Sequence, residues 1–182
     1  MSSWLRWVAT IALAVYHVGS HAALDIGDKA PPFMVQAAVA GTVFPYSLSD
    51  ELKKGPVVLY FFPMAFSAHC SIEAHNFAEA IDQYHALGAT VVGVSRDDID
   101  TQKRFSISEC RGKFPVASDA DQKVMKAYDA VLTTRSDYAN RVSYVISPAG
   151  EVIYQYTSLN PTKHVENTLK ALKSWLKSSV AK

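Results

Sequence analysis

Cys70 is the residue of this sequence whose type and position most favour chemical reactivity, because it lies where a buried strand ends and a helix begins. The stretch from Val57 to Phe62 is apolar and rich in β-branched and aromatic residues, as expected of a strand buried on both faces. Pro63 ends that stretch, and Ser67 places a hydroxyl three residues before the cysteine. A cysteine at a helix start faces the positive end of the helix dipole, which favours the thiolate over the thiol. The pattern predicts a nucleophilic sulfur.

The amino-terminal residues have the layout of a secretory signal peptide. Arg6 precedes an apolar stretch from Trp7 to Tyr16, and the small residues around His21 suit cleavage after Ala22. The alternative is an uncleaved anchor, but the apolar core is shorter than the ~20 residues that span a bilayer. We predict a signal peptide at residues 1–22 and one exported domain at residues 23–182.

The sequence contains one further cysteine, Cys110. In an exported protein, an even number of cysteines suggests a disulfide. Two interpretations stay open at this point, a structural cross-link and a redox-active pair. A domain of this length hardly requires a cross-link for stability, and the position of Cys70 at a helix start favours the redox-active pair.

Composition and charge narrow the choice of partners. The 182 residues are 49% hydrophobic and 19% charged, which is ordinary for a globular protein. The formal net charge is +1, so the chain has neither the footprint of a nucleic-acid-binding protein nor a polybasic membrane surface. We therefore expect no nucleic-acid partner and no stable membrane association once the signal is removed.

Apolar periodicity predicts alternating strands and helices. The predicted elements are a strand at 33–37, a helical turn capped by Ser47 or Ser49, the strand at 57–62, a helix from Ser67 to about Gly88, a strand at 90–95, a helix at 99–109 ending at Cys110, a strand at 114–119, a helix at 121–128, a hairpin of 141–147 and 151–156, and a helix at 163–177. This order is typical of an α/β thioredoxin-like fold, with a central mixed β-sheet flanked by helices on both faces.

The segment from Pro63 to Cys70 resembles the active-site loop of the peroxiredoxins, whose pattern is proline, three residues, threonine or serine, two residues and cysteine. The resemblance continues in frame through residues 27–33, 91–97, 114–119 and 141–153. It is closest to the Q-type branch, the bacterioferritin-comigratory proteins of the alkyl hydroperoxide reductase/thiol-specific antioxidant superfamily. The resemblance implies an antioxidant peroxidase that uses no cofactor or metal, reduces hydrogen peroxide and organic hydroperoxides, and acts in a periplasm.

The resemblance also implies roles for individual residues. Cys70 would attack the O–O bond, while Ser67 and Arg141 would donate hydrogen bonds to the peroxide oxygens and the thiolate. Pro63 would shield the sulfur from water, although Pro63 could equally be a strand terminator and Ser67 a plain helix cap.

Cys110 is then the predicted resolving cysteine of an atypical 2-Cys enzyme. Some Q-type relatives carry that cysteine five residues after the first, where this chain has His75. A disulfide requires Cα atoms within ~7 Å, so we expect both helical segments to loosen on oxidation. A thioredoxin-like protein would reduce the disulfide, and the enzyme would be a monomer.

Two other functions are alternatives to the peroxidase. An exported thiol–disulfide oxidoreductase usually has a Cys-x-x-Cys pair at the helix start, and this chain has none. A copper-binding module could use Cys70 with His69 and His75, although the spacing matches no strong metal signature. Of the remaining polar residues, Glu73 and Glu79 are predicted to lie on a solvated helix face, and His164 to be structural or exposed.

Overall fold

The computed structural model describes residues 23–180, which form a mixed seven-stranded sheet with helices on both faces and a separate small hairpin. In chain order the elements are β1 (Met34–Val39), β2 (Thr42–Ser47), α1 (Leu48–Leu52), β3 (Val57–Phe61), α2 (Ala68–Ala86), β4 (Thr90–Ser95), α3 (Ile99–Ser108), β5 (Val116–Ser118), α4 (Lys123–Ala127), β6 (Val131–Leu132), β7 (Arg135–Ala139), β8 (Val142–Ile146), β9 (Val152–Thr157), a 3-10 turn (Pro161–Lys163) and α5 (His164–Val180). The predicted fold class is confirmed.

The sheet has the strand order β2-β1-β5-β4-β3-β8-β9, so β3 lies near its centre. β3 is parallel to β4 and antiparallel to β8, and all of its residues are buried. Side chains of a strand point alternately to opposite faces. Val58 and Tyr60 therefore join the core with α2 and α5, whereas Leu59 and Phe61 join the core with α1 and α4.

An aromatic stack seats α2 on the sheet. Tyr60 lies beside Gly93 of β4, and a Cβ at Gly93 would be 2.7 Å from the Cζ and hydroxyl of Tyr60. The Tyr60 ring in turn stacks on Phe77 of α2, with 4.4 Å between ring centroids. The missing side chain at position 93 thus makes room for the ring that supports the helix bearing Cys70.

The structure shows which residues cap the first and third helices, and it decides between Ser47 and Ser49 for the first. Ser47 accepts a hydrogen bond from the Asp50 amide and is the N-cap of α1. Asp98 accepts one from the Thr101 amide at 2.7 Å and is the N-cap of α3. Both are the short polar residues that favour this position.

Some strands of the fold are not predicted from the sequence, and one predicted segment lies outside the described residues. Strand β2 and the β6–β7 hairpin were not predicted. The predicted signal peptide, residues 1–22, lies outside the described residues. Within residues 23–180, no helix is both long and apolar enough to cross a membrane.

Candidate active site

Cys70 lies in the first turn of α2 and is 1% exposed. The loop before it is tied to the end of β4, because the Ala65 amide donates to Asp97 Oδ2 at 2.8 Å. The Ser95 hydroxyl donates to the same oxygen at 2.6 Å. These bonds fix the loop over the carboxyl end of the parallel strands, and the sulfur therefore has a defined position at the helix start.

Arg141 reaches Cys70 because of the sheet register. Val142 pairs with Phe61, so the residue before β8 lies beside the end of β3, where the cysteine loop begins. Its Nη2 donates to the Cys70 Sγ at 3.2 Å, and its Nε donates to the Leu159 carbonyl at 3.1 Å. A buried guanidinium in contact with the sulfur favours the thiolate. The structure thus brings together the predicted residues Cys70 and Arg141.

Glu73 is also part of this site, and the prediction that it lies on a solvated helix face is wrong. It is fully buried and accepts a hydrogen bond from Arg141 Nη1. Burial raises the pKa of Glu73 to about 8, while the neighbouring Arg141 acts in the opposite direction. Its spacing of three from Cys70 puts it on the same helix face, which was the available sequence signal. Glu79 is exposed, as predicted.

His164 is buried behind Glu73, on the first turn of α5. Its Nδ1 lies 2.8 Å from the Ser143 hydroxyl, and its Nε2 lies 2.9 Å from the Ser158 carbonyl. Burial lowers the pKa of His164 to about 4, the bond to Ser158 opposes that shift, and the charge of Arg141 adds to it. The imidazole is therefore neutral at pH 7.

Ser67 occupies the N-cap position of α2, but its side chain makes no capping hydrogen bond. Its hydroxyl instead donates to the Met64 carbonyl at 3.1 Å. Ser67 is thus the N-cap residue of α2 by position, but its side chain does not cap the helix. The Ser67 hydroxyl oxygen accepts no hydrogen bond from the helix. Pro63, at the other end of the same loop, is half-buried.

Cys110 lies in the turn that follows α3, and it is fully buried. Burial raises the pKa of its thiol well above the ordinary range, and Glu109 adds to that shift. Both cysteines are free thiols, and both belong to the apolar core on the α2 side of the sheet. The structure thus places the two sulfurs in one core without a bond between them.

Two polar contacts fasten the Cys110 turn to α2. His75 Nε2 lies 3.2 Å from Glu109 Oε2, and Arg111 Nη1 lies 3.4 Å from Glu79 Oε1. The residues on either side of Cys110 are therefore both held against the helix that carries Cys70.

The mouth of the site is apolar. Met64, Phe66, Ile72 and Leu159 are large hydrophobic side chains that are exposed around it. A groove of about 470 Å³ lies beside the helix start, lined by His69, Ile72, Leu159, Asn160, Pro161 and Thr162. In residues 23–180, no cluster of three or more histidine, cysteine or acidic side chains has an arrangement that could hold a metal ion.

Comparison with known proteins places this site in a family. The family model described as AhpC/TSA family matches residues 26–155. The putative peroxiredoxin YkuU of Bacillus subtilis is 31% identical over 158 residues, which cover 82% of this chain and 87% of that protein. The chloroplastic peroxiredoxin Q of Sedum lineare is 32% identical over 149 residues, or 81% of this chain and 77% of that one. The crystal structure of peroxidoxin BcpB from Mycobacterium tuberculosis has a TM-score of 0.74 at 28% identity, and covers 82% of this chain and 96% of its own.

The chain therefore belongs to the AhpC/TSA family. It is a thiol-dependent peroxidase, an antioxidant oxidoreductase similar to peroxiredoxin Q and the Bcp proteins. The resemblance seen in the Pro63–Cys70 loop is confirmed.

Proposed function

We propose that this protein reduces hydrogen peroxide and organic hydroperoxides with Cys70 as the attacking residue, and with Arg141, Ser67 and Pro63 shaping the site around the peroxide. The observation that carries the proposal is the 3.2 Å contact between Arg141 Nη2 and the Cys70 sulfur, both of which belong to buried residues. The apolar mouth supports organic hydroperoxides as substrates, because their hydrocarbon portion can lie along it.

In the first step the Cys70 thiolate attacks the nearer peroxide oxygen. A sulfur–oxygen bond forms as the O–O bond breaks, and the departing alkoxide or hydroxide takes up one proton and leaves as alcohol or water. Cys70 becomes a sulfenic acid and the peroxide is reduced by two electrons. Arg141 can hold the thiolate and stabilise the charge on the departing oxygen. Ser67 can donate to the attacked oxygen by turning its hydroxyl hydrogen away from the Met64 carbonyl.

In the second step Cys110 resolves the sulfenic acid. Its thiol attacks the Cys70 sulfur, a disulfide forms, and the sulfenic oxygen leaves as water with the thiol proton. This step is supported by the location of both thiols in one core. Because both are buried and unbonded, the turn at Cys110 and the first turn of α2 must loosen before the sulfurs meet.

A thioredoxin-like dithiol completes the cycle, since exchange with the Cys70–Cys110 disulfide returns both thiols and leaves the donor oxidised. We further propose that the protein works as a periplasmic monomer, with residues 1–22 as the export signal. Amino-terminal sequencing of the protein from the periplasm tests the cleavage after Ala22, and light scattering tests the monomer.

A peroxide-consumption assay tests the proposed chemistry. We would compare wild type, Cys70→Ser and Cys110→Ser with a thioredoxin system, using both hydrogen peroxide and cumene hydroperoxide. We expect no peroxide consumption by Cys70→Ser. Cys110→Ser should reduce one peroxide molecule per protein molecule and then stop. A wild-type Cys70 that reacts no faster than free cysteine would exclude the peroxidase.

The fate of the sulfenic acid is tested by mass spectrometry after one equivalent of peroxide. We expect a Cys70–Cys110 cross-link in wild type. Full turnover of Cys110→Ser with no cross-link in wild type would mean that an external thiol resolves Cys70.

A further inference from the structure

Three buried ionisable side chains stand behind the Cys70 thiol. Arg141, Glu73 and His164 are 3%, 0% and 0% exposed. Arg141 is the permanent cation of this group, and it contacts both the Cys70 sulfur and the Glu73 carboxylate. If both of these were anionic, one buried negative charge would lack a counter-charge, which is unfavourable. The protonation of Glu73 therefore decides how much of the charge of Arg141 acts on Cys70.

The hydrogen bonds of His164 define its tautomer. The Ser158 carbonyl can only accept, so His164 Nε2 carries the hydrogen and the neutral imidazole has an acceptor at Nδ1. Glu73 Oε1 lies 3.5 Å from that Nδ1. Among the residues from 23 to 180, this buried oxygen has no hydrogen-bond partner. A proton on Oε1 would thus face the Nδ1 lone pair, which it would share with the Ser143 hydroxyl, 2.8 Å from the same nitrogen.

We propose that Glu73 and His164 hold one proton between them as a neutral pair, which leaves the positive charge of Arg141 to the Cys70 thiolate. Both are positioning residues, because they act on Cys70 through Arg141. This inference rests on the proposed function and extends it to two residues outside the proline–serine–cysteine pattern.

The surroundings of the pair favour the neutral form. Tyr60 of β3 faces Glu73, and burial, then Cys110 and Glu73, raise the pKa of its hydroxyl well above the ordinary range, so it stays uncharged. On the β9 side the Tyr156 ring lies edge-on to His164, at 4.9 Å between centroids. With the pKa of Glu73 at about 8 and that of His164 at about 4, the shared proton lies on Glu73 at neutral pH.

The direction of each effect follows from this arrangement. Glu73→Gln keeps an acceptor for Arg141 and is neutral, as the proposed pair already is, so the Cys70 thiol should ionise at close to the wild-type pH. His164→Gln keeps a donor for the Ser158 carbonyl but removes the acceptor at Nδ1. Glu73 then loses its proton more easily, competes for Arg141, and the Cys70 thiol should ionise at higher pH.

Alkylation of Cys70 by iodoacetamide measures its ionisation without peroxide, so the result does not depend on peroxidase activity. All variants are made in a Cys110→Ser background, where Cys70 is the only thiol. We expect the midpoint to stay close to the wild-type value in Glu73→Gln and to rise by about 1 pH unit in His164→Gln. His164→Asn, whose amide oxygen can accept near the Nδ1 position, should shift it less.

The double variant separates proton sharing from a purely structural role. If His164 acts through Glu73, adding His164→Gln to Glu73→Gln should leave the midpoint where Glu73→Gln alone puts it. Near-UV circular dichroism and thermal unfolding identify the variants that keep the native fold. The proposal is overturned if folded His164→Gln leaves the midpoint unchanged, or if it raises the midpoint equally with and without Glu73. Slow peroxide reduction by wild type with these shifts intact would contradict only the proposed function.

Discussion

Arg141 concentrates the chemistry of the site in one side chain, since its guanidinium contacts a sulfur, a carboxylate and a carbonyl. A lysine keeps the charge but cannot present three donors in this planar arrangement. Because a hydrogen bond to a charged group contributes ~1.5–3 kcal/mol, Arg141→Lys should slow the reaction with peroxide roughly tenfold to a hundredfold. Stopped-flow measurement of the second-order rate checks this.

The exposed Arg104, whose side chain donates to Thr101 in its own helix, is the matched control. Arg104→Lys should leave the rate unchanged. An Arg141→Lys variant as fast as wild type would show that charge alone suffices at this position.

Two serines at helix starts have different expected roles. Ser47 caps α1 with its side chain, whereas Ser67 stands at the start of α2 without capping it. Ser47→Ala should therefore lower the free energy of unfolding by about 1 kcal/mol and leave the peroxide rate intact. Ser67→Ala should instead slow the reaction with peroxide and leave the free energy of unfolding unchanged. Ser67→Thr should keep the wild-type rate. Urea unfolding and stopped-flow kinetics on the three variants check this, and a large stability loss in Ser67→Ala would contradict it.

At the residue scale, the sequence could identify the atoms that react but not those that support them. Cys70, Ser67 and Pro63 are adjacent in the chain, and the hairpin register explains Arg141. Glu73 has the sequence pattern of a solvated acid, because the buried partners that it has within residues 23–180, Arg141 and His164, lie far along the chain. Such long-range pairing leaves no local pattern.

Among the elements, the turn after α3 has the most to do with the proposed cycle, because it holds Cys110. The Cys110 amide donates to the Phe105 carbonyl at 3.1 Å, and the Gly112 amide donates to the Ser106 carbonyl at 2.8 Å. The polar contacts of Glu109 and Arg111 with α2 hold the turn from both sides. Exchange of these amides with solvent therefore reports how often the turn opens.

Removing those contacts should open the turn more often. Each exposed pair contributes ~0.2–1 kcal/mol, so Glu79→Gln combined with Glu109→Gln should speed amide exchange at residues 108–112 by several-fold. The rate of disulfide formation should rise with it. Hydrogen-exchange mass spectrometry checks the first effect and acid-quenched alkylation the second. Asp50→Asn, which removes an exposed ion pair on α1, is the control and should change neither.

The long helices and central strands were predictable, since each carries a clear apolar period. β2 was not, because Pro45 interrupts it and several of its side chains are exposed. It is an edge strand, paired only with β1, where a proline is tolerated. The hairpin of β6 and β7 is short and Ala139 is its one fully buried residue, so it has no apolar alternation to detect.

At the scale of the whole molecule, the buried Glu73 and His164 should shape stability against pH in opposite ways. The pKa of His164 falls from 6.5 to about 4 on folding, so the free energy of unfolding decreases as the pH drops through that window. The pKa of Glu73 rises from 4.5 to about 8, so its contribution is lost as pH rises through that window. Between pH 4.5 and 6.5 the two slopes oppose each other.

Single variants should therefore expose one slope each. When the pH is lowered from 6.5 to 5, the free energy of unfolding of Glu73→Gln should fall by about 2 kcal/mol relative to that of wild type, because only the protonation of His164 then contributes a slope. His164→Gln should instead gain stability relative to wild type over the same interval. Urea unfolding of the reduced proteins at both pH values measures the two slopes. Parallel curves for both variants and wild type would contradict the assignment.

The burial of Cys110 also determines how long the proposed sulfenic acid at Cys70 persists. With Cys110 as the resolving thiol, the lifetime of the Cys70 sulfenic acid equals the waiting time for the turn after α3 to open. A second peroxide that arrives within that time converts the sulfenic acid to sulfinic acid, which cannot form the disulfide. The local stability of a few residues around Cys110 thus sets the peroxide concentration above which the enzyme inactivates itself.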